Sequence, residues 1–129
     1  VAYSFGTPTV DYRVSAGRRY CIVTVSETGA GASSEATLAG VPECGKIVSV
    51  VATKTAGAGA TIDPEIGRAA AWADGSQDEV WQNGTAAAHI DQSPERFYFS
   101  PTGTLFLRSS VNAAADNAIT TQIIIQEGV

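Results

Sequence analysis

The sequence predicts an all-β chain: a single-domain two-sheet sandwich of the jelly-roll kind, with an extended N-terminal arm over residues 1–18 and the sandwich over 19–129. Three observations carry this. The last third of the chain holds three strand-like runs, at residues 96–100, 104–108 and 119–126, with a Pro101-Thr102-Gly103 turn between the first two. Two further runs, at 20–26 and 46–53, are rich in β-branched residues, which suit a pleated, half-buried surface. Turn-forming clusters recur between the runs, and no segment shows the long apolar period of an amphipathic helix.

Taken in order, residues 1–18 alternate partially through Tyr3, Phe5, Val10, Tyr12 and Val14, with Pro8 and Gly17 as punctuation. Such an arm either adds an edge strand or reaches onto a neighbour, and its aromatic residues predict that it is tied down. The run at 20–26 places Cys21, Val23 and Val25 on one face, the inward one. Residues 28–34 read as a loop, and 35–41 as a short strand with Ala36 and Leu38 on one face, closed by Pro42 and Gly45. The run at 46–53 has a mixed pattern that predicts burial on both faces. Residues 55–61 form a Gly/Ala loop and Asp63-Pro64-Glu65-Ile66-Gly67 a turn. Residues 68–73 are expected as a strand, with a single helical turn as the alternative. Asn83-Gly84 predicts a hairpin between 78–82 and the segment from Thr85 onward, because both turn positions need positive φ. In the closing strands Phe97, Phe99, Leu105, Leu107, Ile119, Ile123 and Ile125 are expected in the core. Tyr98, Phe106 and Ile124 then fall on the opposite face, too apolar for free solvent, and are expected at a subunit interface.

Composition narrows the function classes. A chain of 129 residues is one domain, long enough to bury about two thirds of its unfolded surface. Charged residues are 16% of the sequence, against roughly 25% in typical domains. The net charge of −5 argues against a nucleic-acid partner, and no apolar run is long enough to span a membrane. Residues 1–54 hold five basic and four acidic groups, residues 55–129 three basic and nine acidic. That asymmetry is either a solvated acidic face or an acidic outer surface opposed to a basic contact surface. Cys21 and Cys44 read as free thiols, with a single bridge left open.

The residues that could carry chemistry are few. His89 is the one histidine; Asp91 shares its face and Ser93 follows, a poor arrangement for nucleophilic attack. Gly29-Ala30-Gly31 and Gly57-Ala58-Gly59 lack the lysine and helix of a phosphate cradle. Asp74 and Asp78 sit in the segment best suited to a hard cation, although the spacing of a calcium loop is absent. Trp72 and Trp81 flank that segment; they read as core or interface residues, or alternatively as a sugar-binding platform. No enzyme activity, cofactor or metal is expected.

A compact all-β chain of this size, rich in Ala, Gly, Thr and Ser, with an N-terminal arm and the closing hairpins at 97–107 and 119–126, resembles the decoration (cement) proteins of tailed-phage heads. The resemblance implies a homotrimer on the outer surface of the virion, made in the host cytoplasm, that grips the major capsid protein without nucleic acid or membrane. The arm, through Tyr3, Phe5, Tyr12 and Arg13, with Arg18 and Arg19, would then face the capsid, and the acidic loops around 74–79 and Asp116 would face solvent. The alternative is a carbohydrate- or receptor-binding sandwich domain of a tail fibre or baseplate, which expects exposed, coplanar Trp72 and Trp81.

Overall fold

A computed structural model describes residues 4–29, 31–32, 35–57, 59–112 and 117–128. Tyr3 and Asp116, named above, lie outside the described residues. Among the described residues every regular element is a strand.

Strands β1 (Ser4–Phe5) and β2 (Thr9–Ser15) both pair with β3 (Arg18–Thr28). The expected arm is thus the outer edge of a sheet. Ala16 and Gly17 join β2 to β3 as a two-residue turn with φ of 52° and 75°, the double positive φ of a tight hairpin. Next come β4 (Gly31–Ala32), β5 (Ala36–Ala39), β6 (Cys44–Ala56), β7 (Thr61–Gly67), β8 (Glu79–Gln82), β9 (His89–Gln92), β10 (Arg96–Phe99), β11 (Thr104–Asn112) and β12 (Ala118–Glu127).

A seven-stranded sheet runs from β1 and β2 through β3, β12 and β6 to β9 and β10; a five-stranded sheet runs from β4 and β5 through β11 and β7 to β8. The chain changes sheet after β3, β5, β6, β8, β10 and β11, the alternation of a jelly-roll sandwich. Long-range ladders therefore fix the architecture, above all β12 between β3 and β6.

The inner faces follow the two-residue period. Cys21, Val23 and Val25 from β3 meet Ile119, Ile123 and Ile125 from β12, and Leu105 and Leu107 from β11 face them from the other sheet, all buried. Full burial of each Leu or Ile contributes roughly 1.5–3 kcal/mol. In β6 a register shift opposite Ile124 and Ile125 moves the inward set from Gly45 and Ile47 to Val50 and Ala52. That bulge explains the mixed pattern of the run. One carboxylate also lies inside: Glu27 accepts hydrogen bonds from Ser109 Oγ at 2.8 Å, across the two sheets, and from Thr121 Oγ1 at 3.3 Å. Both cysteines are free, Cys21 buried and Cys44 exposed, and burial pushes the Cys21 thiol up.

Four local expectations are corrected. Residues 63–67 are not a turn but part of β7. Pro64 is tolerated there because its carbonyl is taken by the Asn83 N–H just beyond the end of β8. Its missing N–H therefore faces the strand end rather than β11. Residues 68–73 form neither strand nor helix but a bent loop in which Ala71 has φ of 62°. Asn83-Gly84 does not close a hairpin: β8 pairs with β7 and β9 with β6, so the turn carries the chain from one sheet to the other. It is held by a hydrogen bond from Gly84 N to Asp63 Oδ1 at 3.0 Å.

The fourth correction concerns β10, whose faces are reversed. Tyr98 is 7% exposed, while Phe97 and Phe99 are 64% and 56% exposed. Tyr98 pairs with Gly45, where an added Cβ would crowd Ile125 Cγ2 of β12 at 2.9 Å but only touch the Tyr98 ring. The inward ring keeps its hydroxyl satisfied by donating to the Pro42 carbonyl at 2.7 Å. Tyr98 is therefore a core residue, whereas Phe106 and Ile124 lie half-buried on the outer faces of their strands.

Candidate functional site: the open edge beside β10

The exposed phenylalanines stand on a strand with a free edge. β10 ends the seven-stranded sheet and pairs with β6 alone. The Ser100 N–H donates to the Glu43 carbonyl at 2.6 Å, and Tyr98 pairs with Gly45, so the even-numbered residues direct their backbone groups to β6. Antiparallel geometry then turns the backbone N–H and C=O of Phe97 and Phe99 the other way. The Phe99 carbonyl is capped by Arg68 Nη1 at 3.3 Å.

Between this edge and β8 of the other sheet lies a groove of about 300 Å³. Arg96, Phe97, Tyr98 and Phe99 form one wall, Glu79 and Val80 the other, and Arg68 and Gln77 close it. A second hollow of about 380 Å³ continues past Phe99 to Pro101 and Thr102. The cations here differ in how they are held. Lys46 pairs with Glu95 at 3.2 Å and lies 5.6 Å from the centre of the Phe97 ring. Arg68 pairs with Asp78 at 3.4 Å. Arg96 is exposed and makes no ion pair among the described residues.

The loop that carries Arg68 and Gln77 is clipped in place by Trp72. The indole is buried against Gly67, where a Cβ would fall 2.4 Å from the ring. The Arg108 guanidinium lies over its other face, 3.9 Å from the ring centre. Arg108 also pairs with Glu65 at 3.0 Å and Asp74 at 2.7 Å, and donates to the Trp72 carbonyl at 2.6 Å. Burial raises the Glu65 carboxyl, against the pull of Arg108. Burial works to lower Arg108, but its carboxylate partners hold it above its ordinary value.

Glu65, Asp74 and Glu79 bring three carboxylates within 4.8 Å of one another, enough oxygen for a hard cation. The Arg108 guanidinium already bridges two of them, and Glu79 Oε2 accepts the Gly75 N–H at 2.9 Å. A metal ion would have to displace that guanidinium. Asp78, expected beside Asp74, pairs with Arg68 instead. Trp72 and Trp81 are 6% and 8% exposed, so the expected exposed platform of two indoles is not formed. Trp81 floors a separate shallow cleft of about 270 Å³ with Asn83, Thr85, His89 and Gln92. There His89 Nδ1 lies 3.1 Å from the Thr53 hydroxyl.

The residues expected to face a capsid lie at the opposite edge of the sheet. Phe5 and Tyr12 are half-buried and pack on the chain's own core. Tyr12 donates its hydroxyl to the Gly40 carbonyl at 2.6 Å and carries the Arg19 guanidinium 3.9 Å from its ring centre. Burial pushes its phenol up to about 12. Arg13 pairs with Asp11 and Arg19 with Glu127, each at 3.0 Å, while Arg18 is exposed.

Phe97, Phe99, Arg96 and Arg68 are the residues that sequence reasoning did not assign to a site. Within the strand, Arg96 and Tyr98 look like the outward set; the contrary signal, the Pro42 carbonyl that accepts the Tyr98 hydroxyl, lies far away in the sequence.

Neither a family model nor a curated protein matches the chain. Among solved structures it is similar to the C-terminal family 22 carbohydrate-binding module of Clostridium thermocellum Xyn10B, with 16% identity, a TM-score of 0.41, and 97% of this chain and 85% of that chain covered.

Proposed function

We propose that the chain is a non-catalytic structural module of a virion: a homotrimer on the outer surface of a phage capsid that stabilises the head by bridging neighbouring capsid subunits. The observation that carries the reading is the β10 edge, where two phenylalanines stand exposed beside an arginine that makes no ion pair among the described residues. Aromatic and arginine side chains dominate the energetics of protein interfaces. Exposed together on an open strand edge, they are a liability unless a partner covers them. Three copies engaging one shell would add avidity, so each contact can be weak. Binding only the assembled shell stabilises it by mass action.

Light scattering and co-sedimentation with empty phage heads test this. The expected results are three chain masses in solution, and at least an about tenfold loss of head occupancy for Phe97→Ser/Phe99→Ser with an unchanged unfolding midpoint. A monomer whose double variant occupies heads as the parent does would sink the reading. Removing residues 1–14 is a poor test, because β2 belongs to the sheet; Arg13→Glu and Arg18→Glu probe that edge without removing it.

A second reading has its own observation. The cleft over Trp81 sets the side chains of Asn83, Thr85, His89 and Gln92 around an aromatic floor, an arrangement suited to a hydroxyl-rich ligand such as a saccharide. It supports the tail-fibre or baseplate alternative. Oligosaccharides that quench tryptophan emission in the parent but not in Asn83→Ala would favour it over the capsid reading.

A further inference from the structure

We propose that Asn83 is a site of spontaneous modification, where asparagine converts to aspartate and isoaspartate through a succinimide, and that the Asp63 carboxylate holds this conversion back while the chain is folded. Neither capsid docking nor saccharide binding is needed for it.

The chemistry begins in the sequence. Of the three asparagines, Asn83 alone is followed by glycine; Asn112 and Asn117 precede alanine. Glycine has no side chain to shield its backbone nitrogen. Hydroxide takes the Gly84 amide proton, and the nitrogen attacks Asn83 Cγ. The N–Cγ bond forms and the Cγ–Nδ2 bond breaks. The leaving nitrogen takes a proton from water and departs as ammonia, which restores the hydroxide. One further water opens the ring. Opening at Cγ gives aspartate. Opening at the main-chain carbonyl reroutes the chain through Cγ and gives isoaspartate, whose backbone is one carbon longer.

The fold exposes this pair and guards it. Gly84 is exposed with φ of 82°, and no non-neighbouring atom lies within 4 Å of where its Cβ would stand, so hydroxide has a path to it. Its N–H, however, donates to Asp63 Oδ1 at 3.0 Å. That bond stabilises the protonated amide, and the carboxylate charge opposes the anion that must form. Asn83 is restrained as well. Its backbone N–H donates to the Pro64 carbonyl at 3.0 Å, and its Nδ2 donates to the Thr85 carbonyl. The carboxamide must leave Thr85 before Cγ swings onto the Gly84 nitrogen. Asp63 and Pro64 are neighbours on β7, so the sheet itself positions the guard. Asn83 also lines the cleft over Trp81, and conversion replaces its amide donor there by a carboxylate.

The full chain is incubated in mildly alkaline buffer, folded and in urea, and peptide mapping separates asparagine, aspartate and isoaspartate at position 83. Conversion is expected to be at least about tenfold slower in the folded chain, and Asp63→Ala to quicken it about tenfold. Hydrogen exchange at the Gly84 amide starts with the same ionisation. It is expected to quicken by the same factor in Asp63→Ala, while the β12 amides keep the parent rate. If the β12 amides quicken too, the substitution has loosened the fold, and Asp63→Asn, of the same shape without the charge, is judged by the same two rates. Equal conversion in the folded and unfolded chains would overturn the guard. So would unchanged rates at Asn83 and Gly84 in a variant whose β12 amides stay protected. Products that map to Asn112 or Asn117 and not to Asn83 would overturn the site.

Discussion

At one edge of the seven-stranded sheet, β2 turns Tyr12 inward, bonds its hydroxyl to Gly40 and pairs Arg13 with Asp11, while Arg19 on β3 pairs with Glu127. At the other edge, β10 turns two phenylalanines outward and leaves Arg96 without a carboxylate. Both strands combine aromatic residues with arginines, so residue type alone does not distinguish them. The difference lies in what faces each strand. Beside β2, the outer surface of β3 and the end of β12 supply partners within the chain. In β10, Tyr98 goes inward and donates its hydroxyl to the Pro42 carbonyl, which commits Phe97 and Phe99 to the surface. Val14, 75% exposed on β2, is the one large apolar side chain that blurs the contrast, and it is far smaller than a pair of rings.

The contrast breaks most sharply at β10 itself. Tyr98→Ala should destabilise the fold by about 3–4 kcal/mol, through a cavity and an orphaned Pro42 carbonyl. Phe97→Ser and Phe99→Ser should each stay within about 0.5 kcal/mol of the parent. Urea midpoints of the three variants decide the matter. Equal losses for Tyr98 and Phe97 would mean that the strand does not face as described.

The groove has a second wall, and Gly67 holds it. A methyl group at position 67 would collide with the Trp72 ring, lifting the indole from beneath Arg108. Gly67→Ala should cost about 1–3 kcal/mol by overpacking. It should also weaken docking, although no exposed residue of β10 has changed. Loss of stability with full head occupancy would confine the binding surface to β10 and remove the loop of 68–78 from it.

The two edges also mark how far the sequence can be read. Strands at 20–26, 104–108 and 119–126 were legible, because period-two alternation of branched apolar residues is a local property, and the run at 46–53 was legible by its β-branched content. The inward placement of Leu105, Leu107, Ile119, Ile123 and Ile125 followed from it. Phe97 and Phe99 did not follow, because the facing of a four-residue strand depends on partners far away in the sequence. At Asn83-Gly84 only Gly84 takes the expected positive φ and Asn83 does not; no hairpin forms, since β8 and β9 find partners in different sheets. Pro64 misled for a related reason: proline is compatible with a strand wherever its nitrogen faces no neighbour. Tyr98, expected at a subunit interface, lies in the core, and its neighbours Phe97 and Phe99 are the exposed ones. Trp72 and Trp81 are buried, as their first reading as core residues expects, but the Gly67 and Arg108 that enclose Trp72 are connected to it by no local pattern.

The smallest expected effect belongs to the satisfied edge. Tyr12→Phe deletes the hydrogen bond to the Gly40 carbonyl, which is exposed and can turn to water, so the cost at neutral pH should be about 0.5–1 kcal/mol. The same phenol predicts a larger change under alkaline conditions. Burial holds both Tyr12, at about 12, and Tyr98, higher still, above the ordinary value of 10.0. The unfolded chain releases these protons near pH 10 while the folded chain keeps them. Above that pH the native state therefore binds more protons, and stability, fully present below about pH 10, falls as pH rises toward the folded values. Removing the Tyr12 phenol removes one of the two contributions, so the variant should lose stability less steeply than the parent between about pH 10 and 12. Urea midpoints across that window measure the slopes. Parallel slopes would show that Tyr12 titrates as freely in the folded chain as in the unfolded one, and that the β2 edge is as open as the β10 edge.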